Sequence, residues 1–293
     1  MNTEGITPAR PFFIGLANLV RDPDQRHLAC LSAASIAIFF IMLFISGVLL
    51  SDTGLAVDFL NKKIAPSLHY PFGTDWLGRD MLVRTVKGLC RSLGIGLLAA
   101  FFSSCISIIL GIMAASLGRK VDTLVSTLVN LVMATPHLVL LILISFACGG
   151  GPTGVIIAVT VSHWPNLTRI IRAEILQLRE SDFVHLSQRF GKTPAWIARH
   201  HMLPHVLPQF VVGLILMFPH AILHEAGLTF LGFGLAPHQP SIGILLAESM
   251  RHLSTGYWWL AILPGISLVF TVKLFDILGS NLRTILEPRT AQE

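Results

Sequence analysis

SDFVHLSQRFGKTPAWIARHHMLP, residues 181–204, is the longest polar interruption in the second half of a chain otherwise dominated by helix-length apolar runs. It holds Arg189, Lys192 and Arg199, with Arg179 just before it. Ser181 or Asp182 can supply an acceptor to the first turn of a helix. Gly191 permits a sharp bend, Pro194 suits the first position of a second helix, and Pro204 closes the polar stretch and opens the next apolar run. The pattern predicts two short helices joined at Gly191, a bent and rigid element on the aqueous side. Connections of this length with so much helical patterning usually carry a function.

Outward from this elbow, composition sets the class. Of 293 residues, 53% are hydrophobic and only 13% charged, and the mean hydropathy is +0.70. A soluble domain carries about 25% charged residues. An all-α integral membrane protein is expected, with lipid as its solvent. The net charge of +5 is what basic cytoplasmic loops produce, so no nucleic-acid partner is implied. Cys30, Cys90, Cys105 and Cys148 are scattered without a CxxC pair, which argues for small packing residues rather than disulfides or zinc.

In chain order, residues 1–27 are a polar tail and 28–50 an uncharged run long enough to cross the ~30 Å hydrocarbon layer. That run is too long for a signal peptide's apolar core. Residues 51–91 form an extracytoplasmic segment, loop at first, with Pro66 and Pro71 as breakers. From Asp80 the segment turns periodic, with Met81, Leu82, Thr85, Val86 and Leu89 on one face and Arg84, Lys87 and Arg91 on another. This predicts an amphipathic interfacial helix, its basic residues snorkelling and partly offset by Asp75 and Asp80. Residues 92–281 read as the permeating core, with helices at 92–117, 121–148 (kinked at Pro136), 155–171, 206–231 and 257–278. A loop spans 174–205, a short re-entrant or surface helix 242–253, and a tail 282–293. Six spans place both termini on one side. The tails and the loops after the second and fourth helices hold thirteen Lys and Arg against seven opposite, so that side is cytoplasmic.

At three places the chain resembles one family. HYPFGTDWLGRD, residues 69–80, is similar to the signature before the second helix in the permeases of bacterial dipeptide, oligopeptide and nickel ABC importers. The elbow resembles that superfamily's coupling motif, with Gly191 at its glycine and Leu203-Pro204 at its Leu-Pro. His185-Leu186-Ser187 stands where the family has Glu-Ala-Ala. HEAGLTFLGFGLAP, residues 224–237, resembles the end of the family's fifth helix. The resemblance implies a type I importer permease with six spans in a bacterial inner membrane. It implies a coupling contact through Asp182, His185, Leu186, Ser187, Gly191, Lys192 and Pro204. The implied partners are a second related permease, two ABC ATPases that use ATP and magnesium, and an extracytoplasmic binding protein. No cofactor is expected on this chain. Gly191-Lys192-Thr193 ends like a phosphate loop, but Leu186 stands where the first glycine belongs and no strand precedes it.

The remaining chemistry lies in twelve histidines. His220 and His224 share a helix face at i, i+4, with Glu225 beside them; His137 follows Pro136, and His163 lies in the fourth span. Ionisable groups at membrane depth usually face a pathway, and imidazole ligates nickel, copper or zinc. The expected substrate path is therefore His220, His224, Glu225, His163 and His137, with His220 and His224 as transient metal ligands; neutral histidines bridging packed helices are the competing reading. His224-Glu225 begins HExxH, but Leu228 occupies the second histidine position, so a zinc hydrolase is excluded. Histidines at 220 and 224, and Ser162-His163-Trp164, resemble the nickel permeases more than the peptide ones. Nickel or a metal–chelator complex is the expected cargo, with di- or oligopeptides as the alternative.

Overall fold

A computed structural model describes residues 23–286, and it is built of helices. The tail positions Arg10, Arg21 and Arg289 fall outside the described residues. The long helices are α1 (Pro23–Leu49), α2 (Met81–Ser116), α3 (Arg119–Ala134), α4 (His137–Ala147) and α5 (Gly151–Arg179). After the elbow helices α6 (Asp182–Arg189) and α7 (Pro194–Ile197) comes a π-helical turn, Ala198–Met202. Then follow α8 (Leu203–Phe230), α9 (Ile242–Leu253) and α10 (Trp259–Leu286). Between α1 and α2 lie two short 3-10 turns and the isolated bridge Thr74–Asp80; no strand occurs among the described residues.

The surface is inverted relative to a soluble protein. Ile38, Phe44, Leu98, Phe102, Leu143 and Phe270 are exposed, whereas Ser92, Ser103, Ser104, Ser107, Ser145 and Thr168 are buried. Lipid gives apolar side chains no reason to hide, so helices associate instead through small residues that let backbones approach. α2 shows this along its whole length. Gly88, Ser92, Gly96, Ala99, Ser103, Ser107, Gly111 and Ala115 are all buried on one face, and α2 packs most extensively on α5 and α8. A Cβ on Gly96 would stand 2.8 Å from Ile222, and one on Gly111 2.7 Å from Ile171. Ser107 donates from its hydroxyl to the Trp164 carbonyl at 2.9 Å, tying α2 to α5.

This seam corrects the sequence reading of 80–91. There is no separate interfacial helix: α2 runs unbroken from Met81 to Ser116, because the small-residue stripe continues through position 88. Nor do its basic residues simply snorkel. Arg84 is buried, donating to Asp75 at 2.7 Å and to Glu248 of α9 at 2.8 Å. Asp75, fully buried, also accepts from the Arg79 side chain at 2.6 Å and from the backbone N–H groups of Leu77 and Arg79. Asp80 caps α2 by accepting from Leu82 N–H at 2.7 Å, and Lys87 pairs with Asp52. Trp76 stacks on His252 of α9, and Trp259 of α10 donates to the Thr74 carbonyl at 3.3 Å. The stretch 69–80 is thus a polar ledge that clamps α2, α9 and α10 at one end of the bundle.

Two further expectations change. The kink at Pro136 is a full break, with α3 and α4 meeting at 100°; proline forbids the helical state of Thr135 before it and lacks a donor of its own. By length and composition, four helices among the described residues can cross a membrane, or five if the bent pair counts as one, and the remaining expected span is too polar to qualify. The helix that falls short is α5. At 29 residues it is about 43 Å long, but Thr160, Ser162, His163, Asn166, Thr168 and Arg172 make it too polar to face lipid. It lies against α2, α4 and α8 instead, where those groups meet protein or cavity.

Asp75→Asn leaves Arg84 buried with half its counter-charge. Breaking a buried pair costs about 3–5 kcal/mol, so the unfolding midpoint of the detergent-solubilised protein falls sharply.

Candidate functional site

A cavity of about 490 Å³ opens between the α3–α4 break, α5 and α8. α8 contributes a single stripe, Gln209, Val212, Gly213, Leu216, Met217, His220 and His224, spaced three or four residues apart. α5 contributes Ser162, His163, Asn166 and Ile170, and the break contributes Thr135 and His137. The walls are mostly aliphatic, and their polar groups are hydroxyls, amides and imidazoles.

Three of the four membrane histidines meet. Ring centroids of His137 and His163 lie 4.8 Å apart, His137 and His224 4.6 Å, His163 and His224 5.0 Å. A ligating nitrogen from each lies within 4.8 Å of the other two. His137 is delivered by the break, which starts α4 at that residue. His163 is fixed on α5: its Nδ1 lies 3.0 Å from the Val159 carbonyl and 2.9 Å from Ser162 Oγ. The carbonyl can only accept, so Nδ1 carries the hydrogen and Nε2 keeps a free lone pair. The cluster differs from the sequence-based pair: His220 lines the same cavity but stands outside it, and His137 and His163 take its place beside His224. Two residues one turn apart share a helix face, yet side chains from other helices decide which of them has company.

Glu225 points elsewhere. It is fully buried beneath the opposite face of α8, where Oε1 accepts from Thr229 Oγ1 at 3.0 Å, and it does not line the cavity. Thr229 Oγ1 in turn accepts from Leu235 N–H at 3.3 Å, so this carboxyl braces the turn that ends α8.

At the other end of α5 and α8 sits the elbow. α6 begins at Asp182, exposed in its first turn, but neither predicted cap is used as expected: the Ser181 hydroxyl donates to the Leu178 carbonyl at 2.6 Å. α6 ends at Arg189, and Gly191, two residues on, has a φ of +74°, which favours glycine; Gly191 N–H donates to Gln188 O and Lys192 N–H to Ser187 O. Thr193 then caps α7, accepting from Trp196 N–H at 3.2 Å. Ser187 Oγ lies 2.9 Å from His201 Nε2, and Lys192 sits over the Trp196 ring. Val184 and Ile197 anchor the elbow to the core, while Arg179 donates to the Ala115 carbonyl of α2.

The elbow's outer face is apolar, which the sequence reading missed apart from Leu186. Phe183, Leu186 and Phe190 are exposed, Phe190 at 80%, and their i, i+3, i+7 spacing puts them on one side of the α6 turn. His185, Arg189 and Lys192 surround them, exposed. The periodicity was readable, but it was masked by the polar residues that dominate the stretch. Pro204, exposed, lies in the first turn of α8; the chain does not restart there but continues as helix from Pro194 to Phe230. The second elbow helix, α7, and the histidine stripe of α8 therefore ride on one helical body.

Comparison with known proteins agrees with this architecture. Residues 107–292 match the family described as binding-protein-dependent transport system inner membrane component. A putative peptide transport system permease protein of Brucella abortus biovar 1 is 39% identical over 228 residues, covering 78% of this chain and 76% of that protein. The dipeptide transport system permease protein of Bacillus subtilis (strain 168) is 29% identical over 288 residues, covering 98% of this chain and 90% of that protein. Among solved structures, an inward-facing form of the MetNI methionine ABC transporter superposes with a TM-score of 0.57 at 21% identity, over 70% of this chain and 97% of that one; at that identity it supports the fold alone. An apolar helical bundle, a bent exposed elbow and a matched family segment lead to one conclusion: this chain belongs to the binding-protein-dependent transport system inner membrane component family and is an integral-membrane permease subunit of an ABC importer, not an enzyme.

Proposed function

We propose that this permease carries short peptides or peptide-like molecules across the bacterial inner membrane by alternating access. The cavity between the α3–α4 break, α5 and α8 serves as half of the path, and a second, related permease completes it. The single observation that carries the mechanism is the exposed Phe183–Leu186–Phe190 stripe on the elbow that joins α5 to α8. An apolar face of this kind on a short helix, ringed by polar residues, suits insertion into a partner's groove. The partners are two ATPase subunits using ATP and magnesium, and the elbow side is cytoplasmic, as is the basic side of the chain. Closure of the ATPases on ATP moves the elbow, and α5 and α8 rock with it because they are its two arms. An extracytoplasmic binding protein hands cargo over at the ledge side, where residues 69–80 lock α2, α9 and α10 together.

Peptide cargo rests on the relatives, which are named as peptide and dipeptide permeases. Nickel or a metal–chelator complex, the cargo expected from His220 and His224, finds no support among them. The cavity itself suits a small polar cargo, with aliphatic walls to exclude water and a few neutral hydrogen-bonding groups to orient it.

Sealed proteoliposomes holding this chain, its partner permease and the ATPases accumulate a labelled dipeptide only when ATP and the binding protein are supplied; ATP-independent accumulation refutes the mechanism. Phe183→Ala with Phe190→Ala removes two anchors of the size found at interface hot spots, worth about 2 kcal/mol or more each. Co-purification of the ATPases then drops at least tenfold while the permease remains folded. Gly191→Val forces a β-branched residue into the left-handed region at a cost of about 1–2 kcal/mol. It lowers the number of dipeptides moved per ATP hydrolysed, whereas Gly191→Asn, which tolerates that region, stays close to the parent.

A further inference from the structure

We propose that the groove between the ledge-side ends of α1 and α2 binds one anionic phospholipid, with its phosphodiester on Arg91 and Lys87 and an acyl chain laid along the two helices. The groove shares no residue with the histidine cavity.

Its volume is about 490 Å³, within the range of small-ligand sites. Lys87, Arg91 and Asp52 form a polar rim, Phe44 and Val48 an apolar wall, and Pro240 from the α8–α9 connection closes one side. The depth is set by a close contact between the helices. Gly47 packs on Cys90, whose thiol donates to the Leu43 carbonyl at 3.4 Å, and a side chain at position 47 would collide with that sulfur. Gly47 lies about 3 Å from the end of α1 at Leu49, so Arg91, next to Cys90, sits at the same level. α1 has 27 residues and is about 40 Å long. That length carries its end through the ~30 Å hydrocarbon layer into the headgroup zone. Arg91 is therefore a cation at phosphate depth.

Charge and shape then select the ligand. Lys87 is paired with Asp52, whereas Arg91 is exposed and meets no carboxylate among the described residues. Two cations against one anion leave the rim with a single positive charge. A phosphodiester carries one negative charge, and a guanidinium fork matches its oxygens. Phosphatidylglycerol adds no further charge and leaves the rim neutral; the ammonium of phosphatidylethanolamine restores the excess.

Below the rim the surface turns apolar on both helices. On α1, Ile41, Phe44 and Val48 are exposed at i, i+3 and i+7; on α2, Leu98 and Phe102 are exposed seven and eleven residues after Arg91, on its side of the helix. A soluble phosphate gains nothing from such a track. An acyl chain does, since it replaces the looser contacts of bulk lipid with a shaped surface. Bound this way, the lipid bridges α1 and α2 and makes the seating of α1 depend on membrane composition.

The test titrates the full-length chain, purified in detergent, with dioleoyl phosphatidylglycerol or dioleoyl phosphatidylethanolamine and counts retained lipid by native mass spectrometry. One phosphatidylglycerol per chain is retained in preference to the ethanolamine lipid, and excess glycerol phosphate does not displace it. Arg91→Gln and Lys87→Gln each weaken retention about fivefold, the worth of one cation near a membrane surface, while Arg91→Lys stays within about twofold of the parent because the charge is kept. Lys62→Gln, an exposed cation of the same segment that does not line the groove, leaves retention unchanged. Equal retention of the two lipids, or retention indifferent to Arg91→Gln and Lys87→Gln, overturns the site. Displacement by glycerol phosphate overturns the assignment to lipid and leaves a site for free phosphate. The titration is repeated on the chain assembled with its second permease and ATPases. Loss of the retained lipid on assembly assigns the groove to a protein contact and likewise overturns the proposal.

Discussion

Close backbone approach along the buried face of α2 is the constraint on which the other features depend. In lipid, apolar burial gives helices little reason to associate, so packing must come from shape. Glycine, serine and alanine spaced three or four residues apart from position 88 to position 115 provide that shape. The short approach lets Ser107 reach the Trp164 carbonyl and brings α5 and α8 near enough to share a cavity. Without it α5, with polar groups from Thr160 to Arg172, would have to face hydrocarbon.

From that seam the two ends of the molecule take different characters. At the ledge, Asp75, Arg84 and Glu248 tie elements distant in sequence through charge-assisted hydrogen bonds that the surrounding protein shields from water. Four helices or turns thereby become one rigid corner. At the elbow the bonds are local, within α6 and α7 and across Gly191, and the outward face carries unsatisfied apolar surface instead. The first arrangement resists motion. The second offers a handle, joined to α5 through Glu180 and Ser181 and to α8 through the π-helical turn, an irregularity frequently found at functional sites.

One break and two prolines inside helices then frame the candidate site. Pro136 turns the chain by 100° and presents His137; Pro165 within α5 lies two residues after His163, and Pro219 within α8 five residues before His224. Proline removes a backbone donor and loosens the helix locally, which is tolerated in membrane helices where neighbours or a cavity take up the freed groups. The histidines thus sit where rigid helices meet weak points. That combination suits a site that must hold cargo and then release it when the arms move.

Much of this was readable from local pattern. Hydropathy marked the apolar helices, proline and glycine marked the breaks at 136, 149–152 and 191, and the motifs at 69–80, 181–204 and 224–237 pointed to the family. Those signals depend on residues adjacent in sequence, and adjacency survives folding. What required the tertiary structure was every statement about company. Arg84 read as a surface charge and proved to be the centre of a buried network; Glu225 read as a neighbour of the histidines and proved to face away from them; His163 and His137, not His220, joined His224. The reason is geometric. The rotation of each helix about its own axis, set by the packing of small residues against other helices, decides which polar side chains converge, and no periodicity within one helix encodes its neighbour's rotation.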